Sequence, residues 1–185
     1  LAKAFGFVFL NGFAMTGNDF WPPSTFSLNI GILQPTVLTT GLLPHENVSS
    51  VTTFTGSAFQ IPEGAIPVLT FKEEHVSLQP DTAWVFQSNT PVKNLDGYYQ
   101  GAIMEFGTGK IAVFGEAAMF TAQLSNGDPV GFNSDFAPEN AQFTLNLIHW
   151  LDGMKLHSGP ESNQITTDEE AILNQNRALE DAFHQ

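Results

Sequence analysis

The sequence contains no cysteine. Disulfides, thiolate zinc sites and thiol nucleophiles are therefore excluded within this chain. Basic residues are scarce. Lys and Arg number 6 against 19 Asp and Glu, which gives a formal net charge of −13. A surface of that sign repels phosphate backbones and anionic headgroups, so neither nucleic acid nor a membrane is an expected partner. Charged residues of either sign make up only 14% of the chain, against about a quarter in average domains. No apolar run approaches the roughly 18 residues of a membrane-spanning helix. No signal peptide is visible, and no internal repeat or low-complexity stretch stands out. The expected setting is soluble, cytoplasmic or exported.

Apolar material is plentiful. The 185 residues are 42% hydrophobic, with 17 Phe and 3 Trp. That suits one domain with a real core plus an appendage. The opening Leu1-Ala2-Lys3-Ala4-Phe5-Gly6 reads as the end of a helix stopped by Gly6, and further residues are expected upstream.

Phe7 to Leu10 reads as a short buried strand, and Asn11-Gly12 breaks it. Residues 12 to 35 read as a long loop, either of the kind that packs as a lid or serves a function, or a surface excursion pinned by Phe20 and Trp21. Val48 to Thr55, Ala65 to Phe71 and Thr82 to Gln87 have strand composition. Gln100 to Phe106 and Lys110 to Gly115 flank Gly107-Thr108-Gly109, the pattern of an antiparallel hairpin. The run Ile111-Ala112-Val113-Phe114 predicts a strand buried on both faces. Glu116 to Leu124 reads as a turn into a short helix, and residues 125 to 137 as a polar loop. Beyond Pro138, the spacing of Ala141, Leu145, Ile148 and Leu151 predicts an amphipathic helix that stops at Gly153. Residues 157 to 165 read as a linker. Thr167-Asp168-Glu169-Glu170 fits a capping box, and residues 166 to 185 read as a terminal amphipathic helix that packs on the domain or on a partner.

One stretch is more specific. It runs from Gly101 through Glu105-Phe106-Gly107-Thr108-Gly109-Lys110 to Phe114-Gly115-Glu116-Ala117-Ala118-Met119-Phe120. Asn140-Ala141-Gln142-Phe143 and Asn146-Leu147-Ile148-His149-Trp150-Leu151 follow it. This resembles a group of largely uncharacterised bacterial proteins with a class I glutamine amidotransferase-like, flavodoxin-like domain. There a Gly-Lys turn leads into a buried strand ending in Gly-Glu or Gly-Asp, and a final helix carries Asn and Trp-Leu. Gly109-Lys110 and Gly115-Glu116 match, while Thr108 stands where the group often has Lys. Leu38-Thr39-Thr40-Gly41, Phe54-Thr55-Gly56 and Ile66-Pro67-Val68-Leu69 add to the likeness, which covers residues 1 to 156. The resemblance implies an α/β fold: a three-layer sheet with an antiparallel hairpin, its first strands lying before Leu1. It also implies a departure in function. True amidotransferases of this fold use a Cys nucleophile with a His and a Glu at the end of a later strand. This chain offers Glu116 but neither the Cys nor a His beside Glu116, so the triad does not carry over.

Glu116 follows the C-terminal end of a strand, where ligands bind in open α/β sheets. It can serve as a general base or hold a sugar hydroxyl, or it can simply stabilise a helix N-terminus. Asp128, Asn133, Asp135 and Glu139 crowd one loop, either as oxygen ligands for a hard cation or as ordinary turn formers. Histidines 45, 75, 149, 157 and 184 show no metal-ligand spacing, and His75 reads as part of an exposed turn. Ser57 lacks the nucleophile-elbow pattern. Trp21, Trp84, Tyr98 and Tyr99 can line a carbohydrate cleft or pack in the core. The residues expected at a ligand site are Glu116, Asn133, Asp135 and Trp21, with Glu116 the one catalytic candidate. No metal or cofactor is expected. The expected function is a non-glutaminase binding or scaffold domain for a small molecule or carbohydrate. An acid–base hydrolase of a sugar or ester using Glu116 is the alternative. A homo-oligomer formed through the terminal helix is a further expectation.

Overall fold

The computed structural model describes residues 1–16 and 23–154. Trp21, the linker at 157–165 and the terminal helix at 166–185 therefore lie outside the described residues. A 3-10 turn at Ala2–Phe5 ends at Gly6, whose φ of 87° is left-handed. The strands β1 (Val8–Phe9), β2 (Phe13–Thr16) and β3 (Ser24–Ser27) follow. A single-turn helix, α1 (Val37–Thr40), and a 3-10 turn at Pro44–Glu46 precede β4 (Ser50–Thr53) and β5 (Phe59–Gln60). Next come β6 (Ile66–Thr70), β7 (His75–Leu78), β8 (Val92–Asn94), β9 (Tyr99–Phe106) and β10 (Gly109–Phe114). A 3-10 turn at Ala118–Phe120, then β11 (Ala122–Ser125), β12 (Asp128–Gly131) and the one long helix, α2 (Asn140–Asp152), complete the described chain.

The protein is mixed α/β and mostly sheet. Every ladder among the described residues is antiparallel. The hub is β9, which pairs with β6 and β10 and, through Tyr99, with β5, which continues to β1. A three-stranded sheet β2-β7-β8 and the two-stranded pairs β3-β4 and β11-β12 stand around it.

The pleat of β9 and β10 divides the core in two. Ile103, Ala112 and Phe114 face the main cluster, with Phe26, Leu69, Phe71 and Phe143. Ala102, Met104, Ile111 and Val113 face a smaller one built on Phe7 and Phe59. Helix α2 lies over the main cluster, anchored by Phe143, which is fully buried. Gly153, with a φ of 77°, caps its last turn and accounts for where it ends.

The antiparallel hairpin of β9 and β10 forms as expected, and strands occupy most of the runs read at 48–55 and 65–71. Other expectations need correction. The strand near Phe7 is two residues long and exposed; only Phe7 itself is buried. The long loop at 12–35 contains β2 and β3, because Phe13–Thr16 and Ser24–Ser27 find partners in β7 and β4. β10 is half-buried rather than buried on both faces, since it ends the path of its sheet. The helix expected in 116–124 is only a 3-10 turn, and β11 follows it. The polar loop at 125–137 contains the turn and second strand of a hairpin, closed by Asn126 and Gly127 with φ of 53° and 94°. Such a pair suits the tight turn between twisted strands. His75 is buried, 4% exposed, between Phe26 and Phe71, and its Nδ1 accepts from the Lys72 N–H at 3.1 Å. Burial holds its imidazole below the ordinary value.

The largest correction concerns α2. Its apolar stripe Leu145, Ile148 and Leu151 is exposed. The buried face carries Asn140, Phe143, Asn146 and Leu147. Asn140 sits on β4: its Oδ1 accepts from Thr52 N–H at 2.9 Å, and its Nδ2 donates to the Thr52 and Met119 carbonyls. Asn146 Nδ2 donates to the carbonyls of Leu38 and Glu46, each at 2.9 Å. Two amides thus close backbone groups that leucine would leave unmet.

Candidate functional site

Residues from 9–13, 55–57, 79–80 and 83–84 line an open cleft of about 780 Å³. Its lining includes Asn11, Phe13, Gly56, Ser57, Gln79 and Trp84. The close approach of two backbones makes one wall. Ser57 N–H donates to the Gly115 carbonyl at 2.8 Å, and Gly115 N–H donates to Gln100 at 2.8 Å. A Cβ on Gly115 would lie 1.9 Å from the Ser57 carbonyl oxygen, so no other residue fits there. Gly56 has a φ of 124°, and a side chain on it would strike the Gly115 carbonyl and Glu116. The Gly-Glu and Thr-Gly pairs of the sequence are thus two halves of one contact. Ser57 Oγ donates to the Gly12 carbonyl at 2.9 Å and ties the opposite wall to it.

The apolar floor is aromatic. Trp84 packs against Phe13, with ring centroids 4.5 Å apart, and Phe86 meets Phe13 edge-on at 5.4 Å. Trp84 is nonetheless 58% exposed. The strand expected over Thr82–Gln87 is absent. Val85 N–H instead donates to the Thr82 carbonyl, closing a tight turn in which Trp84 is the third residue. Its φ is 67°, at a position where glycine is usual. A bulky residue in that region costs about 1–2 kcal/mol, and such strain clusters at functional sites. Core packing does not explain it, because the indole faces outward.

A second cleft, of about 510 Å³, opens on Trp84 as well. Phe54, Phe136, Asp128 and Asp135 line it. Phe136 is 68% exposed.

The residues expected at the site separate in space. Asp135 lines the second cleft. Asn133 does not line either cleft; its Nδ2 donates to the Gln123 carbonyl at 3.2 Å and braces the β11-β12 hairpin. Glu116 lines neither cleft. Its carboxylate accepts from the Ala118 and Met119 N–H groups and caps the 3-10 turn that begins there. Burial pushes its carboxyl above the ordinary value, while the amides of Met119, Ala118, Phe54 and Ala117 pull the other way. Glu139 is equally occupied. It accepts from the Ser49 and Ser50 N–H groups and from both hydroxyls. Burial raises its carboxyl, but these donors outweigh that and hold it below the ordinary value.

Among the described residues no group of three or more His, Cys, Asp or Glu side chains is placed to hold a metal ion. No helix there is long and apolar enough to cross a membrane. Sequence reasoning named Trp84 only as one aromatic of four and did not find Phe13, Asn11 or Phe136. One available signal was the apolar run Trp84-Val85-Phe86 set between the turn formers Pro80-Asp81-Thr82 and Ser88-Asn89-Thr90-Pro91. Compared with known proteins, the chain matches no family model, no curated protein and no solved structure.

Proposed function

We propose that this chain is a non-glutaminase, ligand-binding domain whose first cleft takes a small neutral ligand of the carbohydrate type. The observation that carries the proposal is the exposed Trp84, held at positive φ over Phe13 in a cleft of about 780 Å³. An aromatic ring bared to solvent in a concave site stacks on the apolar face of a sugar ring, and side-chain amides such as Asn11 and Gln79 meet its hydroxyls. The absent cysteine supports the non-glutaminase half. Kinship with the class I glutamine amidotransferase-like group rests on the motifs around Gly109-Lys110, Gly115-Glu116 and Asn146 to Leu151. Its finer form, a three-layer flavodoxin-like sheet, rests on those motifs alone, because every ladder described is antiparallel.

The test is a titration of the full chain with soluble mono- and oligosaccharides, followed by NMR of the saccharide. A saturable change is expected, lost in Trp84→Ala while the unfolding midpoint stays the same. Equal binding by Trp84→Ala, or no response to any saccharide, would refute the proposal. Acid–base hydrolysis by Glu116 is the second reading, favoured by its raised carboxyl. Retained turnover of a glycoside or ester in Glu116→Gln would remove it.

A further inference from the structure

The second cleft differs in chemistry from the first. Three aromatic residues, Phe54, Trp84 and Phe136, line it together with Asp128 and Asp135. Among the described residues no Lys, Arg or His lines it. The described lysines are engaged elsewhere or lie far along the chain. Lys72 donates to the Ile30 carbonyl, Lys93 stands over Tyr98, and Lys110 donates to the Trp150 carbonyl and stands over its ring. Lys3 belongs to the N-terminal turn. Among the described residues no Lys or Arg side chain pairs with a carboxylate, the one His–carboxylate approach being His75 to Glu74, so neither Asp128 nor Asp135 has an internal counter-charge there.

We propose that this cleft binds an organic ammonium ion, of the quaternary or methylated-amine class. The cavity and its aromatic walls make the site, and the carboxylates set its sign. A methylated ammonium has a diffuse charge and an apolar surface. It gives up little hydration on contact with ring faces and gains their quadrupole attraction. A small hydrated metal ion would need converging oxygen ligands, and no group of three acidic or His side chains is so placed among the described residues. An anion is repelled by both aspartates and by the net charge of −13. Two exposed aromatic rings, Trp84 at 58% and Phe136 at 68%, are left bare for such a ligand. Asp128 opens β12, directly after the Asn126-Gly127 turn of the hairpin.

The site does not depend on saccharide binding, because Phe136 and both aspartates line only the second cleft. The test uses choline chloride and its uncharged carbon isostere, dimethylbutanol, titrated into the full chain at matched ionic strength by NMR. Saturable choline binding is expected, with the isostere weaker by about tenfold or more. Phe136→Ala and the double variant Asp128→Asn, Asp135→Asn should each weaken choline by about fivefold or more. Both should leave any saccharide response intact. Equal affinity for choline and the isostere would overturn the proposal. So would the absence of saturation, or binding that persists unchanged in both variants, which would place choline elsewhere on the acidic surface. The three substituted residues are exposed, so the variants keep the core as it is.

Discussion

Helix α2 and the turn around Trp84 obey opposite rules. At α2, two buried amides are met: Asn140 and Asn146 each bond backbone groups of distant segments. At the turn, apolar groups are exposed, the backbone is strained, and two carboxylates have no counter-charge nearby among the described residues. The first arrangement is what stability demands, since buried backbone groups left unmet are costly. The second is what stability would remove. A structure consistent at most levels breaks local rules where something other than folding is at stake. Resemblance to a known sequence pattern drew attention to the α2 end and to Glu116. The contrast in packing draws it to Trp84 instead.

The comparison can be broken from the stable side first. Phe143→Ala should cost about 3–5 kcal/mol, because it empties the centre of the main core. Chemical denaturation measures this, and a loss below half that size would mean that α2 is not the keystone of the cluster. Asn140→Ala should cost about 2–3 kcal/mol, as Thr52 N–H and two carbonyls lose their partner in a dry site. If it proves neutral by the same measurement, the amide contacts are ornamental.

The smallest effect is one of sign. Glu139 binds its proton more weakly folded than unfolded, so its stabilisation is complete above the ordinary value of 4.5 and fades as pH falls below it. Glu116 has the reverse sign: its contribution is present at low pH and fades as pH rises through its elevated folded value. Across unfolding midpoints taken from about pH 3 to 7, Glu139→Gln should flatten the acid limb by less than about 1 kcal/mol, the group being largely exposed to screening. Glu116→Gln should instead gain on the native protein as pH rises. Parallel curves for the two variants would contradict the opposed environments described here.

Much of the fold was legible in the sequence. β-branched and aromatic runs marked β4, β6, β9 and β10, and Gly153 marked the end of α2. What escaped notice has physical causes. Exposed aromatics at Trp84 and Phe86 imitate the composition of a buried strand. β7 and β8 are only four and three residues long, too short for their composition to stand out. The Asn126-Gly127 turn was visible but went unread among other polar residues. On α2 the leucines outnumber the asparagines, so periodicity selected the face that stays in solvent. The site was less legible, because Asn11 and Phe13, Gly56, and Gln79 and Trp84 come from segments far apart in the chain that the paired strands bring together.

The two buried asparagines also settle how α2 can sit. A helix seated on leucines alone can roll about its axis and find another greasy face at little cost. With amides, each partner is an individual atom: the N–H of Thr52, or the carbonyls of Met119, Leu38 and Glu46. A roll of one residue, about 100°, would abandon them all at once. The helix therefore has a single seat, chosen by fit like a key in a lock, even though its oiliest side looks the other way.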